Sequence, residues 1–332
     1  MYRRAGELHQ INVMCEQSLL RLAAGGQTVR RITPSRPGSC CRRSSGTARC
    51  VPQASGRSVA LPKRGIKLAT NIQEKYYLPH IDYRRGSPHL SHPGLYDRLI
   101  EVLRGMIQEL ADQRMPLRVL DVGAGHGGFT ELALAMGCEV TAVDMSRPSV
   151  DELRRRFGTN PKFHAVYDPD GTLRDMDDDY SLIMFVSVLH HIPDYMSCLK
   201  MACQRIASGG SLLTLQDPLL YSRHKTAHRV DQAAYLAWRL GQGNLSRGMK
   251  TRLRRIRGIL DETDPGDMVE YHVIRDGVDE EEVLSFATME FAEASLLTYW
   301  SNQLRLGQRL GDQLGLRDYF GIIAKGYGSG LA

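Results

Sequence analysis

Val119-Leu-Asp-Val-Gly-Ala-Gly-His-Gly-Gly128 is the stretch that decides how this chain folds. Its first half completes a short apolar strand, Leu117–Val122. Its second half is a glycine turn that leads into a helical pattern with Phe129, Leu132, Ala133 and Met136 on one face. Glycines let the backbone turn sharply and approach a ligand that a Cβ would block. Gly123, Gly125 and Gly128 satisfy G-x-G-x-x-G, while Asp121, Gly123, Gly125 and Gly127 satisfy D-x-G-x-G-x-G. Asp144 closes a second apolar strand, Glu139–Val143, about 20 residues further on, where a carboxylate can accept hydrogen bonds from ribose hydroxyls. A pyrophosphate would be repelled by an acid beside the turn, so Asp121 favours a ligand with a cationic group over a nicotinamide dinucleotide.

The same alternation continues on both sides. Upstream, Leu95, Leu99, Val102, Met106 and Leu110 recur at helical spacing, and Pro116 ends that helix. Downstream, Pro148 suits the first turn of a helix carrying Val150, Leu153 and Phe157. Lys162–Tyr167, Ser181–Val186 and Ser211–Gln216 read as strands. Leu199, Cys203 and Ile206 fit a helix that ends at Gly209-Gly210. Repeated strand–helix units predict a parallel sheet covered by helices on both faces. Beyond Asp217-Pro218 the pattern changes. Residues 219–265 read as helical, with Met249, Leu253, Ile256 and Leu260 on one stripe, then Asp279–Thr288 as a helix and Phe291–Trp300 and Tyr319–Ala324 as strands.

Composition narrows the classes. The 332 residues are 42% hydrophobic and 24% charged, an ordinary globular balance, with no apolar run of the roughly 20 residues that a membrane span needs. The net charge of +6 is unevenly spread, since residues 1–67 hold 13 of the 43 Lys and Arg but only Glu7 and Glu16 among the acids. The remainder is mildly acidic and offers no electrostatic footprint for nucleic acid. Residues 1–66, rich in Arg, Ser, Gly and Pro, read as a disordered basic leader: an organelle transit peptide, a basic tail, or upstream sequence from a start placed too early, the last being favoured. The body is expected in the cytoplasm, with organelle targeting by the leader as the alternative. The seven cysteines show no zinc-ligand spacing and read as free thiols.

Val119–Gly128, Val140-Thr-Ala-Val-Asp-Met-Ser146 and Val188-Leu-His-His-Ile-Pro-Asp194 resemble, in this order, successive motifs of the class I S-adenosylmethionine-dependent methyltransferases. The resemblance covers about residues 70–218 and is nearest to the small-molecule O-methyltransferases. It implies an α/β, doubly wound, Rossmann-like and mostly parallel seven-stranded sheet, with an antiparallel C-terminal strand and a helical insertion. It also implies S-adenosylmethionine as cofactor. Asp121, Gly123 and Gly125, with Ala124 between the glycines, would line its methionine portion; Asp144 would hold the ribose and Met145 would pack on the adenine. Asp168 matches the adenine-side acid or is a turn residue of Tyr167-Asp-Pro-Asp-Gly171, and Ser187 would lie beside the cofactor through its backbone.

Methyl transfer asks mainly for alignment and the exclusion of water, with no metal demanded, and a hydroxyl acceptor is helped by a base such as His. The resemblance assigns this role to a histidine after the fourth strand of the core and an acid after the fifth. His190 or His191, and Asp217, occupy those positions; packing, helix capping and a turn before Pro218 are the plainer alternatives. Neighbouring histidines cannot both face the acceptor, and the sequence does not choose. Tyr76, Tyr77, His89 and His92 are candidates for a lid or are simply surface residues. Arg247–Arg257 reads as a solvated basic helix or an anion site, and Tyr235, Trp238 and Trp300 as pocket walls or core. The expected division is a leader (1–66), a cofactor core (67–218), a helical substrate cover (219–290) and closing strands (291–332). The expected partner is a small-molecule acceptor, with RNA or protein methylation, or nicotinamide-dependent oxidoreduction, as alternatives. Oligomeric state is not legible.

Overall fold

The computed structural model of the chain describes residues 28–32, 87–241 and 276–328. The strands are β1 (Thr28–Ile32), β2 (Arg118–Val122), β3 (Glu139–Asp144), β4 (Phe163–Tyr167), β5 (Tyr180–Val186), β6 (Ile206–Pro218), β7 (Phe291–Tyr299) and β8 (Tyr319–Tyr327). They form one sheet in the order β1-β7-β8-β6-β5-β2-β3-β4. Strands β2 to β6 pair in parallel, while β8 runs antiparallel to β6, β7 to β8 and β1 to β7. The chain winds outward from β2 to β4, then returns to β5 on the other side of β2. That reversal opens a crevice above the C-terminal ends of β2 and β5.

The helices are α1 (Pro88–Ser91), α2 (Pro93–Asp112), α3 (Gly128–Ala135), α4 (Arg147–Phe157), α5 (Tyr195–Cys203), α6 (Lys225–Gly241), α7 (Glu280–Glu290) and α8 (Arg305–Gln313), with a 3-10 turn at Leu189–His191. Strand alternation divides the core cleanly. Val119, Leu182, Met184 and Leu213 face one layer with the apolar stripe of α2 and Phe129 of α3, while Leu120, Ile183, Phe185 and Leu212 face the other with α5 and α7. Local signals set the helix starts. Ser146 caps α4 by accepting from Ser149 N, Asp194 caps α5 through Ser197 N (3.1 Å), and Asp279 caps α7 through Glu281 N and Glu282 N.

The structure departs from or adds to the expectations at several elements. The seven strands are present, but Thr28–Ile32, inside the stretch read as disordered leader, adds an eighth along β7, with exposed Arg30 paired to Glu281 at 3.0 Å. Helix α5 ends at Cys203, not at Gly209-Gly210. Ile206 already pairs with Tyr180, and the glycines lie within an irregular stretch of β6, where a Cβ on Gly210 would meet Ile206 Cγ2 at 2.7 Å. Within the segment expected to form a cover (219–290), α7 buries Val283, Leu284, Phe286 and Ala287 against the sheet, while residues 242–275 lie outside the described residues. Helix α8 was unread: Gly307 and Gly311 lower its helix propensity, yet Gly311 is required, since a Cβ there would lie 2.2 Å from Trp300 Nε1. Tyr76, Tyr77, the stripe Met249–Leu260, the basic stretch 247–257 and the leader cysteines lie outside the described residues. Cys138, Cys198 and Cys203 are buried free thiols, pushed up to about 11, 12 and 12 by burial.

Candidate active site

The turn after β2 is built from left-handed backbone. Gly123, Gly125 and Gly127 have φ of 69°, 53° and 74°, a region costly for any residue with a Cβ. At Gly123 a Cβ would also strike Val188 Cγ2 at 2.7 Å, whereas at Gly125 the space a Cβ would enter is open. Gly125 N donates to Asp144 Oδ2 at 2.9 Å, and Ser146 N donates to Asp144 Oδ1 at 2.8 Å, so the carboxylate at the end of β3 braces the turn. Asp121, beneath the turn, accepts from Thr130 Oγ1 at 2.5 Å.

Both acids are buried, and neither forms a salt bridge with a basic residue among the described residues. Burial raises Asp121 to about 7, opposed by the Thr130 hydrogen bond and aided by the charge of Asp144. Burial raises Asp144 to about 6, opposed by the Ser146 and Gly125 amides. Two uncompensated buried carboxylates next to an open cradle fit a ligand that brings its own positive charge.

Met145 is half-buried just past Asp144. Asp168 N donates to Asp144 O at 3.0 Å, while the Asp168 side chain accepts from Leu173 N at 2.7 Å and thereby shapes its own loop. Ser187 leaves β5 in left-handed backbone (φ 61°), held there by donating its N–H to Leu215 O at 2.7 Å. A strained non-glycine residue at a strand end facing the crevice is a common mark of a functional turn.

The histidines and Asp217 lie one strand further along. His190 Nδ1 is 2.8 Å from Asp217 Oδ1, and the same oxygen accepts from His190 N at 3.1 Å. Both side chains are buried, Asp217 completely. His191 lies against His190 with ring centroids 3.9 Å apart and the ring planes tilted by 45°, and it is half-buried. The structure thus pairs one of the two histidines with the acid. His89 of α1, read as a lid or surface residue, is instead buried beside His190. Burial first, and His190 second, lower it to about 3, so it is neutral near pH 7. His92 is also buried, with Nε2 3.1 Å from Gln303 O. Nothing in the spacing of His89 pointed to His190, about 100 residues away; only the tertiary fold brings them together. Trp300 is core, donating Nε1–H to Gly307 O at 3.0 Å, and Tyr235 stacks on Trp238 along α6.

Among the described residues no group of His, Cys, Asp and Glu is arranged to hold a metal ion, and no helix is long and apolar enough to cross a membrane. A family model described as a methyltransferase domain matches residues 96–256. The chain is 29% identical over 107 residues to the ubiquinone biosynthesis O-methyltransferase of Bordetella avium (strain 197N), covering 31% of this chain and 44% of that one. It is 32% identical over 89 residues to the ribosomal RNA small subunit methyltransferase A of Synechococcus sp. (strain JA-2-3B'a(2-13)), covering 27% of this chain and 31% of that one. The chain therefore spans less than half the length of either relative. Among solved structures, N-methyltransferase NodS from Bradyrhizobium japonicum WM9, in complex with S-adenosyl-L-homocysteine, is similar at 13% identity with a TM-score of 0.45, covering 78% of this chain and 98% of that one. The family match falls on the glycine turn, Asp144 and the His190–Asp217 pair alike, so residues 96–256 carry the likeness to a methyltransferase domain.

Proposed function

We propose that this chain transfers the methyl group of S-adenosylmethionine to a hydroxyl oxygen of a small-molecule acceptor. The observation that carries this reading is the buried His190–Asp217 pair, 2.8 Å apart, at the ends of β5 and β6. With its Nδ1 proton donated to Asp217, His190 keeps Nε2 free of a proton and is a better base than a lone imidazole. Asp121, Gly123, Ala124 and Gly125 hold the methionine end of the cofactor, Asp144 the ribose, Met145 the adenine face, and Ser187 lines the site through its backbone. Asp168 supports the adenine-side loop through its bond to Leu173 N.

When bound, the cofactor supplies a methyl carbon already activated by a positive sulfur. His190 Nε2 takes the acceptor's hydroxyl proton while the oxygen–carbon bond forms. S-adenosylmethionine would leave as S-adenosylhomocysteine with the bonding pair on sulfur, the acceptor would become a methyl ether, and His190 would hold the proton. Helix α6 supports the acceptor side, since its Asp231 is tied to Asn302 beyond β7. An RNA acceptor is the second reading, favoured by the ribosomal RNA methyltransferase among the relatives.

The test is transfer of labelled methyl from S-adenosylmethionine to a library of phenols and alcohols, with total RNA as a parallel acceptor. Label in an ether product, lost in His190→Ala, is expected. Label only in RNA, or only on nitrogen, sinks the hydroxyl assignment.

A further inference from the structure

Helix α8 packs inward through small and polar residues and leaves its leucines outside. Gly311 lies against the Trp300 ring, Gln308 Nε2 donates to Trp300 O at 2.9 Å, and Gln308 Oε1 accepts from Asn302 N at 2.8 Å. Leu306, Leu310 and Leu314, four residues apart along the helix and its C-cap, are 68%, 48% and 74% exposed. A helix that served only to cover the core would carry its apolar stripe on the other side. Helix α6 adds Val230 and Leu236, each 41% exposed, and is held to the start of α8 by Asn302 Nδ2, which donates to Asp231 Oδ1 at 3.0 Å. Six large apolar side chains are exposed among the described residues, and five of them fall on these two helices. Single scattered leucines need no explanation, but a shared location does.

The exposed charges of the two helices have one sign. Lys225 and Arg229 of α6 and Arg305 and Arg309 of α8 are exposed. Their acids are half-buried and engaged: Asp231 accepts from Asn302, and Asp312 accepts from Arg98 at 3.2 Å and from Gln308. On neighbouring α2, Glu101 is matched by Arg104 at 3.5 Å, and exposed Asp97 is one acid against the four basic side chains. Such a surface does not suit a second copy of this chain, because a two-fold contact sets arginine against arginine. Nucleic acid would meet the arginines but gain nothing from the leucines. An anionic bilayer surface suits both. The leucines enter the boundary between headgroups and acyl chains, and the basic side chains meet lipid phosphates.

We propose that α8, flanked by α6, is a docking surface for an anionic lipid bilayer, on which the protein rests without crossing it. Tyr319 pairs with both Tyr299 and Pro218, so α8 leaves the sheet at the same end as Asp217, and the docked face is at the end of the candidate site. The surface is independent of which atom is methylated.

The experiment mixes the full chain with vesicles of phosphatidylcholine, alone or with phosphatidylglycerol added, and reads the bound fraction by sedimentation. Phosphatidylglycerol is expected to raise affinity by about tenfold or more, and added salt to lower it. The basic residues 1–67 can hold an anionic vesicle by charge alone, so the leucine variants decide. Leu310→Ser should weaken binding about tenfold, the effect of one apolar side chain withdrawn from lipid, and Leu306→Ser with Leu314→Ser should weaken it further. Arg305→Gln with Arg309→Gln should weaken it about 25-fold, at roughly fivefold for each charge. Tm should hold in all of these exposed-site variants, and Leu314→Ser, at the most exposed position, serves if Leu310→Ser lowers it. No binding to either vesicle, equal binding to both, or binding that the leucine variants leave unchanged overturns the proposal. A dimer in analytical ultracentrifugation that the leucine variants dissolve, without vesicle binding, overturns it in favour of a second copy.

Discussion

Asp121 and Asp144 sit under the glycine turn with folded values near 7 and 6, both raised by burial. Near pH 6 each is partly protonated, and a cationic ligand must displace that proton. Affinity for S-adenosylhomocysteine, measured by calorimetry, should therefore rise as pH increases from about 5 to 8 and then level. Asp121→Asn should flatten the upper part of that rise; an unchanged profile would separate Asp121 from the ligand's cation. Stability runs the other way. The folded state holds protons that the unfolded chain has already lost, so these two groups disfavour folding increasingly as pH rises from about 4 to 7. At the other pair, His190→Ala should cut kcat by about 100-fold or more, the range of a general base, while His191→Ala changes it by only a few-fold. Cofactor affinity should hold in both, and equal losses would undo the assignment to His190. Asp121, Asp144 and Asp217 were legible because strand ends are readable from hydrophobic patterning. The choice of His190 was not, because adjacent residues in a 3-10 turn differ only in where the turn aims them.

The turns of this protein are shaped by contacts between elements as much as by their own residues. Gly123 follows β2, but what forbids a side chain there is Val188, beyond β5. Gly123→Ala should cost about 2–3 kcal/mol by combining left-handed strain with a clash. Val188→Ala in the same chain should recover part of that loss, and strict additivity of the two in chemical denaturation would show that the clash is not the cause. Helices with a proline-marked start and an apolar stripe, α2 and α4 above all, were readable. Helix α8 was not, because its glycines read as loop until Trp300 is seen against Gly311. The end of α5 was misread for a related reason: Gly209-Gly210 looks like a helix stop, yet it serves an irregular stretch of strand beside Tyr180 and Leu182.

Across the molecule the candidate site residues fall on two parts of the sheet. Strands β2, β3 and β5 carry the glycine turn, Asp144 and Ser187, while β6 carries Asp217 at its end. β1 is at the far edge from β3 and β4, and among the described residues its strand partner is β7. Deleting residues 28–32 should lower Tm by about 2–4 °C for each kcal/mol lost and leave S-adenosylhomocysteine affinity within about twofold. A large loss of affinity would mean that the two halves are coupled. Residues 117–218 by themselves determined the parallel core, the glycine turn and its acids, because short continuous apolar runs, glycine at positive φ and helix caps are written locally. Which histidine meets Asp217, why His89 is buried beside it, and that Thr28–Ile32 joins the sheet were decided only by the tertiary structure. Each of these joins segments tens to hundreds of residues apart, through contacts that only the packed sheet creates.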